Sequence, residues 1–234
     1  MKPDKRKKDR NNKSRSPSSE IKNSFNKYLI WVPFVFAFIL YGNTLKHDFT
    51  LDDLPQIVNH KYVQQGWAGI SKLATQDYWA ASGISLGYYR PLSHISFAVE
   101  NALHGNNPTI MHLVNILLYG LTGMVVFLLL SNLFRKMPLF VLLATLIFMA
   151  HPVHTEVVAN IKSRDEIMTL LLCLLSAGAF YDWIKENKTS KFLLAVFCFL
   201  ASLFAKESTI TFIVAIPLMF YFFTDAKQKH YFSA

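Results

Sequence analysis

The sequence predicts an all-α, polytopic membrane helix bundle of about six spans, and three observations carry that reading. Hydrophobic residues make up 52% of the 234-residue chain and charged residues 17%, well short of the roughly 25% charge of a soluble domain. Six uncharged apolar runs follow one another at 28–45, 101–134, 137–155, 167–181, 192–205 and 208–224. The basic residues are also distributed unevenly over the segments between those runs. The shortage of charge argues against a soluble globular protein, a disordered chain and a fibre.

The N-terminal stretch 1–27 holds ten of the 24 basic residues and is rich in Lys, Arg, Asn and Ser. Such a composition cannot bury a core, so it predicts a disordered cytoplasmic tail with a topogenic role and some attraction to anionic lipid. The net charge of +9 is therefore largely a property of the tail, and the adjacent span argues against nucleic acid as a partner. The first run is too long for a cleavable signal, and Tyr41-Gly42-Asn43 is a poor small-residue cleavage site. The first three runs are long enough to cross about 30 Å of hydrocarbon at 1.5 Å per residue. The fourth and fifth have 15 and 14 residues and need their flanks, with Lys188 and Lys191 snorkelling. The sixth ends before a short cytoplasmic segment, 225–234. Cys173 and Cys198 fall inside apolar runs and read as small buried hydrophobes, with no disulfide or metal framework.

Orientation follows from the charges. Six spans put both termini on one side, together with seventeen Lys/Arg: the tail, Arg135, Lys136, Lys185, Lys188, Lys191, Lys227 and Lys229. The other side holds seven, namely Lys46, Lys61, Lys72, Arg90, Lys162, Arg164 and Lys206. The positive-inside rule makes both termini cytoplasmic.

The first external loop, 46–107, is too long for a mere connection. Within it, 67–78 carries apolar residues at Trp67, Ile70, Leu73 and Ala74. In turn, 91–104 begins with a proline at N1 and places Leu92, Ile95, Val99 and Ala102 on one stripe. Both predict amphipathic helices lying along the outer membrane surface, with Tyr78, Trp79, Tyr88 and Tyr89 at the interface. Just past the first span stands Phe49-Thr50-Leu51-Asp52-Asp53. The two carboxylates read either as ordinary solvated loop acids or as a functional pair. In the second reading one takes a proton from an acceptor hydroxyl while the other orients it or adjusts its pKa.

Ionisable and polar groups gather at the outer ends of the spans: Arg90, His112, Asn115, His151, His154, Glu156, Lys162, Arg164, Asp165, Glu166, Lys206 and Glu207. His151 and His154 are spaced as a metal pair, but Pro152 breaks the helix between them and no Cys lies outside. Helix capping or hydrogen-bond donation suits them better than zinc. Lys206-Glu207 reads equally as an internal ion pair that eases insertion, and Arg164 as part of a local network. The shared membrane face favours transfer from a phosphate-linked donor, since cations stabilise a departing phosphate and a carboxylate activates an acceptor.

In order along the chain, Phe49-Thr50-Leu51-Asp52-Asp53 with Ile57-Val58-Asn59, Tyr89-Arg90-Pro91-Leu92, His112-Leu113-Val114-Asn115, His151-Pro152-Val153-His154-Thr155-Glu156, Arg164-Asp165 and Lys206-Glu207-Ser208 form a set. That set resembles the membrane core of the transmembrane and tetratricopeptide-repeat O-mannosyltransferases of the GT-C glycosyltransferase superfamily. The resemblance runs over most of 28–224. It implies a GT-C-like domain that moves mannose with inversion from a polyprenyl phosphate to a Ser/Thr hydroxyl of a protein. By position it implies Asp52 as base, with Asp53 as neighbour and alternate, and needs no metal or other cofactor. Arg90, Arg164 and Lys206 are then candidates to hold the donor phosphate, with His151, His154 and Glu156 shaping the donor pocket. Family members carry further spans and a C-terminal array of repeats of about 34 residues. Neither is visible here, so the chain reads as truncated or incomplete. The Lys/Asn-rich tail and short length suggest a bacterial inner membrane rather than an endoplasmic reticulum, the active face being periplasmic or lumenal. Other readings are a GT-C enzyme that uses a different lipid-linked sugar for lipid or glycan decoration, a transporter with an intramembrane relay through Glu156, Lys206 and Glu207, and a non-catalytic scaffold.

Overall fold

A computed structural model describes residues 28–83 and 85–224, and every described segment is helical, turn or loop, without a strand. The tail 1–27 and the end 225–234 lie outside the described residues. The helices are α1 (Trp31–Tyr41), α2 (Ile70–Leu73), α3 (Pro91–His104), α4 (Pro108–Leu133), α5 (Pro138–Met149), α6 (Val153–Ala159), α7 (Arg164–Glu186), α8 (Thr189–Ala205) and α9 (Phe212–Phe223). Sequence chemistry sets their ends. Proline occupies the first turn of α3, α4 and α5, where its missing N–H leaves no bond unmade. The Asn107 side chain caps α4 by accepting from the Ile110 N–H at 3.3 Å, and Asn187, with φ 49°, terminates α7.

All six apolar runs form helix, but their lengths differ from expectation. Pro108–Leu133 and Ile161–Glu186 are long and apolar enough to cross a membrane. The fourth run, 15 residues by sequence, thus becomes part of one of the two longest helices, because its flanking charges are paired within the protein. The third run bends by 67° between α5 and α6 at His151-Pro152, so it makes a span only if the bent pair is counted as one. Thr189–Ala205 and Glu207–Phe223 are shorter apolar helices.

Helix α4 is the centre of the bundle. Gly120 and Gly123 let α1 and α5 close on it: a Cβ at Gly120 would stand 2.8 Å from the Phe34 ring. One at Gly123 would collide with Met149 Sδ and stand 3.1 Å from Pro33 Cβ. The Tyr119 hydroxyl donates to the Met149 carbonyl at 2.9 Å, tying α4 to the end of α5. Helices α7 and α8 pack as a hairpin through small side chains, with Ser176 donating to the Ala195 carbonyl at 2.9 Å. Cys173 and Cys198 are buried free thiols in that hairpin.

The first loop folds into its own core of Ile57, Val63, Leu73, Phe97, Ala98, Met111 and Ile161. Here three expectations are corrected. The stretch 67–78 is no continuous helix: a 3₁₀ turn at Gly66–Gly69 leads into the single turn α2. Helix α3 forms as expected, yet it buries Ser93, His94, Phe97 and Ala98 in place of the Leu92–Ile95–Val99–Ala102 stripe. The loop and helices α7 and α8 cover that partly polar face, so hydrophobicity does not choose it. Tyr78 is buried against His94 instead of lying at the interface.

Candidate functional site

The acidic pair sits in a tight turn. Leu51, with φ 44° and 82% exposed, adopts a left-handed backbone that a branched side chain disfavours. The turn closes reciprocally: Asp53 N–H donates to the Thr50 carbonyl at 2.8 Å, and Thr50 N–H donates to Asp53 Oδ2 at 3.0 Å. Asp53 is fully buried, and its Oδ1 accepts the Lys162 N–H at 2.7 Å. Burial raises its pKa, the Asp52 charge adding to the rise, while the Thr50 and Lys162 N–H groups oppose it. Asp52 is exposed, and its carboxylate lies 3.7 Å from Lys162 Nζ. The two acids therefore differ in kind. Asp53 staples the loop to the start of α7, and Asp52 is open to a partner.

Arg90 precedes Pro91, and a residue before proline is pushed out of the helical region. Its φ of −132° and ψ of 60° conform to that. The side chain is thereby carried across to two other elements. Nη1 donates to Asp165 at 2.9 Å, and Nε and Nη2 bind the two oxygens of Glu207, the former at 2.8 Å. The rings of Tyr78 and Tyr88 lie 5.3 and 5.1 Å from the guanidinium carbon. Burial works against its charge, but the hydrogen bonds and charges of Glu207 and Asp165 prevail and raise its pKa. Lys206 pairs with Glu166, one residue beyond Asp165.

Arg164 points the other way, into the seam between α3 and α4. It is fully buried, and its five N–H donors find acceptors: Asn115 Oδ1 at 2.8 Å, Ser96 Oγ at 3.0 Å, the Met111 carbonyl at 3.0 Å and both oxygens of Glu100. Phe97 covers it at 4.5 Å. Burial raises the Glu100 pKa although Arg164 opposes the rise.

Of the residues singled out by sequence, the structure brings Asp52, Asp53, Arg90 and Lys206 together around Lys162, Asp165, Glu166 and Glu207. Arg164 lies directly behind them. His151 and Glu156 are exposed on the bent segment and take no part in this ion-pair network. His154 packs on Phe148 and Tyr119 and lines a cleft of about 370 Å³, together with Val157, Glu166, Leu170 and Phe212. The cleft thus opens beside the Lys206–Glu166 pair. By sequence, Lys162, Asp165 and Glu207 are only outer charged groups, Glu207 the ion-pair partner of Lys206 or part of a relay, and Tyr78 is only an interface aromatic; Glu207 in fact pairs with Arg90. Glu100 is singled out by no charged motif. Among the described residues no three of His, Cys, Asp and Glu are grouped to hold a metal ion.

With this geometry in view, comparison with known proteins is informative. The chain is 31% identical over 208 residues to mouse protein O-mannosyl-transferase TMTC4, covering 77% of this chain and 28% of the relative. It is 30% identical over 218 residues to the Caenorhabditis elegans protein O-mannosyl-transferase F38B6.6, covering 91% of this chain and 30% of that protein. To human protein O-mannosyl-transferase TMTC2 it is 36% identical over 143 residues, 58% of this chain and 16% of the relative. The chain therefore spans less than a third of the length of these relatives. No family model and no solved structure matches.

Proposed function

The chain belongs to the transmembrane and tetratricopeptide-repeat O-mannosyltransferase family, and from that premise we propose that it forms part of a glycosyltransferase that moves mannose, with inversion, from a polyprenyl phosphate to Ser/Thr hydroxyls of proteins. The observation that carries this reading is the meeting of the Asp52-Asp53 turn with Arg90, Lys162 and Lys206 at the start of α7, fixed by the 2.7 Å bond from Lys162 N–H to Asp53.

The roles divide by geometry. Asp52 is the base, because both oxygens of Asp53 already accept backbone N–H groups while Asp52 is exposed. It takes the proton of the acceptor hydroxyl as the hydroxyl oxygen bonds to the anomeric carbon. The bond from that carbon to the phosphate oxygen breaks on the opposite side, and the phosphate leaves with the electron pair. Among the described residues one N–H on each of Arg90 Nη1 and Nη2 is unused beyond the bonds to Asp165 and Glu207, and these, with Lys162 and Lys206, meet the departing charge. Arg164 is a positioning residue, since its five donors are taken within the protein.

The cleft beside Lys206 supports a lipid-linked donor: an apolar wall of Val157, Leu170 and Phe212 meets polar His154 and Glu166 at the cationic end. His151 and Glu156, on the same bent segment as His154, are assigned to its outer edge. The face so used is opposite the basic tail, periplasmic in a bacterial inner membrane and lumenal in an endoplasmic reticulum. The test is transfer by the protein from its full reading frame to a Ser/Thr peptide. Label should move from polyprenyl-phosphate mannose and not from a nucleotide mannose. Transfer from the nucleotide sugar alone would overturn the donor assignment.

A further inference from the structure

Among the described residues, two buried polar atoms beside the acidic turn have no hydrogen-bond partner: Nε2 of Gln56 and Oη of Tyr78. Both side chains are almost wholly enclosed, and both are held against one imidazole. Gln56 Oε1 lies 3.0 Å from His94 Nε2, and the Tyr78 ring stacks on the His94 ring at 4.3 Å with 9° between the planes. Each also adjoins the proposed reaction centre. The Gln56 backbone N–H donates to the Asp52 carbonyl at 3.1 Å, and the Arg90 guanidinium stands over the Tyr78 ring at 5.3 Å.

A buried donor left unpaired destabilises a fold, and native proteins rarely keep one without a reason. Here two are kept, on side chains that both pack against His94. The Tyr78 backbone N–H is bonded to the Tyr88 carbonyl at 2.7 Å, and the ring is held by the stacked His94 and the Arg90 guanidinium. Burial, with the Asp165 charge next and Asp52 and Asp53 contributing, holds the phenol well above its ordinary pKa, so it remains a proton donor at any working pH. Neutral donors against an aromatic wall suit hydroxyl groups, whereas the cations Arg90, Lys162 and Lys206 already serve a phosphate.

We propose that Tyr78 Oη and Gln56 Nε2 form a sugar-recognition subsite that donates hydrogen bonds to hydroxyls of the donor's hexose between Asp52 and Arg90. The inference rests on the reading of the chain as a polyprenyl-phosphate-sugar transferase, and it names the residues that read the sugar.

The test compares wild type, Tyr78→Phe and Gln56→Met, each as the full-length protein in detergent. The shift in melting midpoint is measured with polyprenyl phosphate and with polyprenyl-phosphate mannose. Tyr78→Phe keeps the stacked ring and removes only an unpaired hydroxyl, so without ligand it should melt at or above the wild-type midpoint. In the wild type the mannose-bearing lipid should give the larger shift. Both variants should lose that sugar-dependent excess and keep the shift caused by the phosphate. Where transfer is followed, Tyr78→Phe should raise the KM for the donor about tenfold, as expected for one lost hydrogen bond. An excess missing from the wild type, or one that survives in Tyr78→Phe, overturns the subsite whether or not transfer occurs. A Tyr78-dependent excess without transfer would instead overturn the proposed reaction and leave the subsite standing.

Discussion

The Asp53 carboxylate accepts the backbone N–H of Lys162 at 2.7 Å across 109 residues of chain, and in doing so seats the first external loop on the start of α7. Asp52, its neighbour, is thereby presented next to Lys162 Nζ rather than left on a free loop. A backbone donor at one end of the bond makes this anchor independent of the Lys162 side chain.

Asp53→Asn replaces one of two accepting oxygens with a donor that faces an N–H. The substitution should destabilise the protein by about 1–3 kcal/mol, the penalty of a buried group left unsatisfied. Thermal melting in detergent reads this. Lys162→Met keeps the backbone N–H and should leave the melting midpoint nearly unchanged, since the Asp52–Lys162 pair is half exposed and such pairs contribute little.

Arg164→Met should destabilise by about 3–5 kcal/mol, because it strands Glu100 in a buried seam with its charge uncompensated. Adding Glu100→Gln should recover part of that loss. A double-mutant cycle on melting midpoints checks it, and strictly additive effects would contradict the pairing.

Acid should weaken the loop core. Burial lowers the His60 pKa to about 4 and the His94 pKa to about 3, neighbouring charge adding to the latter. Unfolded imidazoles bind protons near pH 6.5 that the folded ones refuse. Their stabilisation is therefore complete above about pH 6.5 and is lost as the pH falls from there towards 4. Asp53 and Glu100, with raised values, bias stability the opposite way in the acid range and are common to both proteins compared. The measurement is melting midpoint against pH for wild type and His94→Gln, the variant giving the shallower acid slope.

Close packing at α4 makes a further prediction. Gly120→Ala would drive a methyl to 2.8 Å from the Phe34 ring and force α1 off α4. Overpacking of this kind costs about 1–3 kcal/mol. Gly178→Ala, with nothing within 4 Å of its added methyl, serves as the control that should keep the wild-type midpoint.

How much of this was legible in the sequence depended on whether a local signal existed. Apolar runs and the proline that opens 91–104 are local, and they located the helices. That the fourth run needs its flanks was legible, but not how the helix Ile161–Glu186 carries Arg164 and Asp165, whose partners Glu100 and Arg90 arrive from distant segments. The buried face of α3 was misread for a related reason. His94 and Ser93 are polar, and only the folded loop supplies Gln56 and Tyr78 to cover them. Likewise Asp52 and Asp53 were a pair in sequence, but their division into an exposed acid and an anchored one needs Lys162. Tyr78 reads as an interface aromatic like its neighbour Trp79, because nothing local distinguishes a tyrosine at the membrane surface from one buried on a distant His94.

The most direct test of the central claim is mannosyl transfer from polyprenyl-phosphate mannose to a Ser/Thr peptide by the full-length protein and its Asp52→Asn variant, at equal folded concentration. With Asp52 as the base at a site shared with Arg90, Lys162 and Lys206, the variant should bind donor normally and lose about 10²–10⁴-fold in rate. A variant rate equal to wild type would contradict the account.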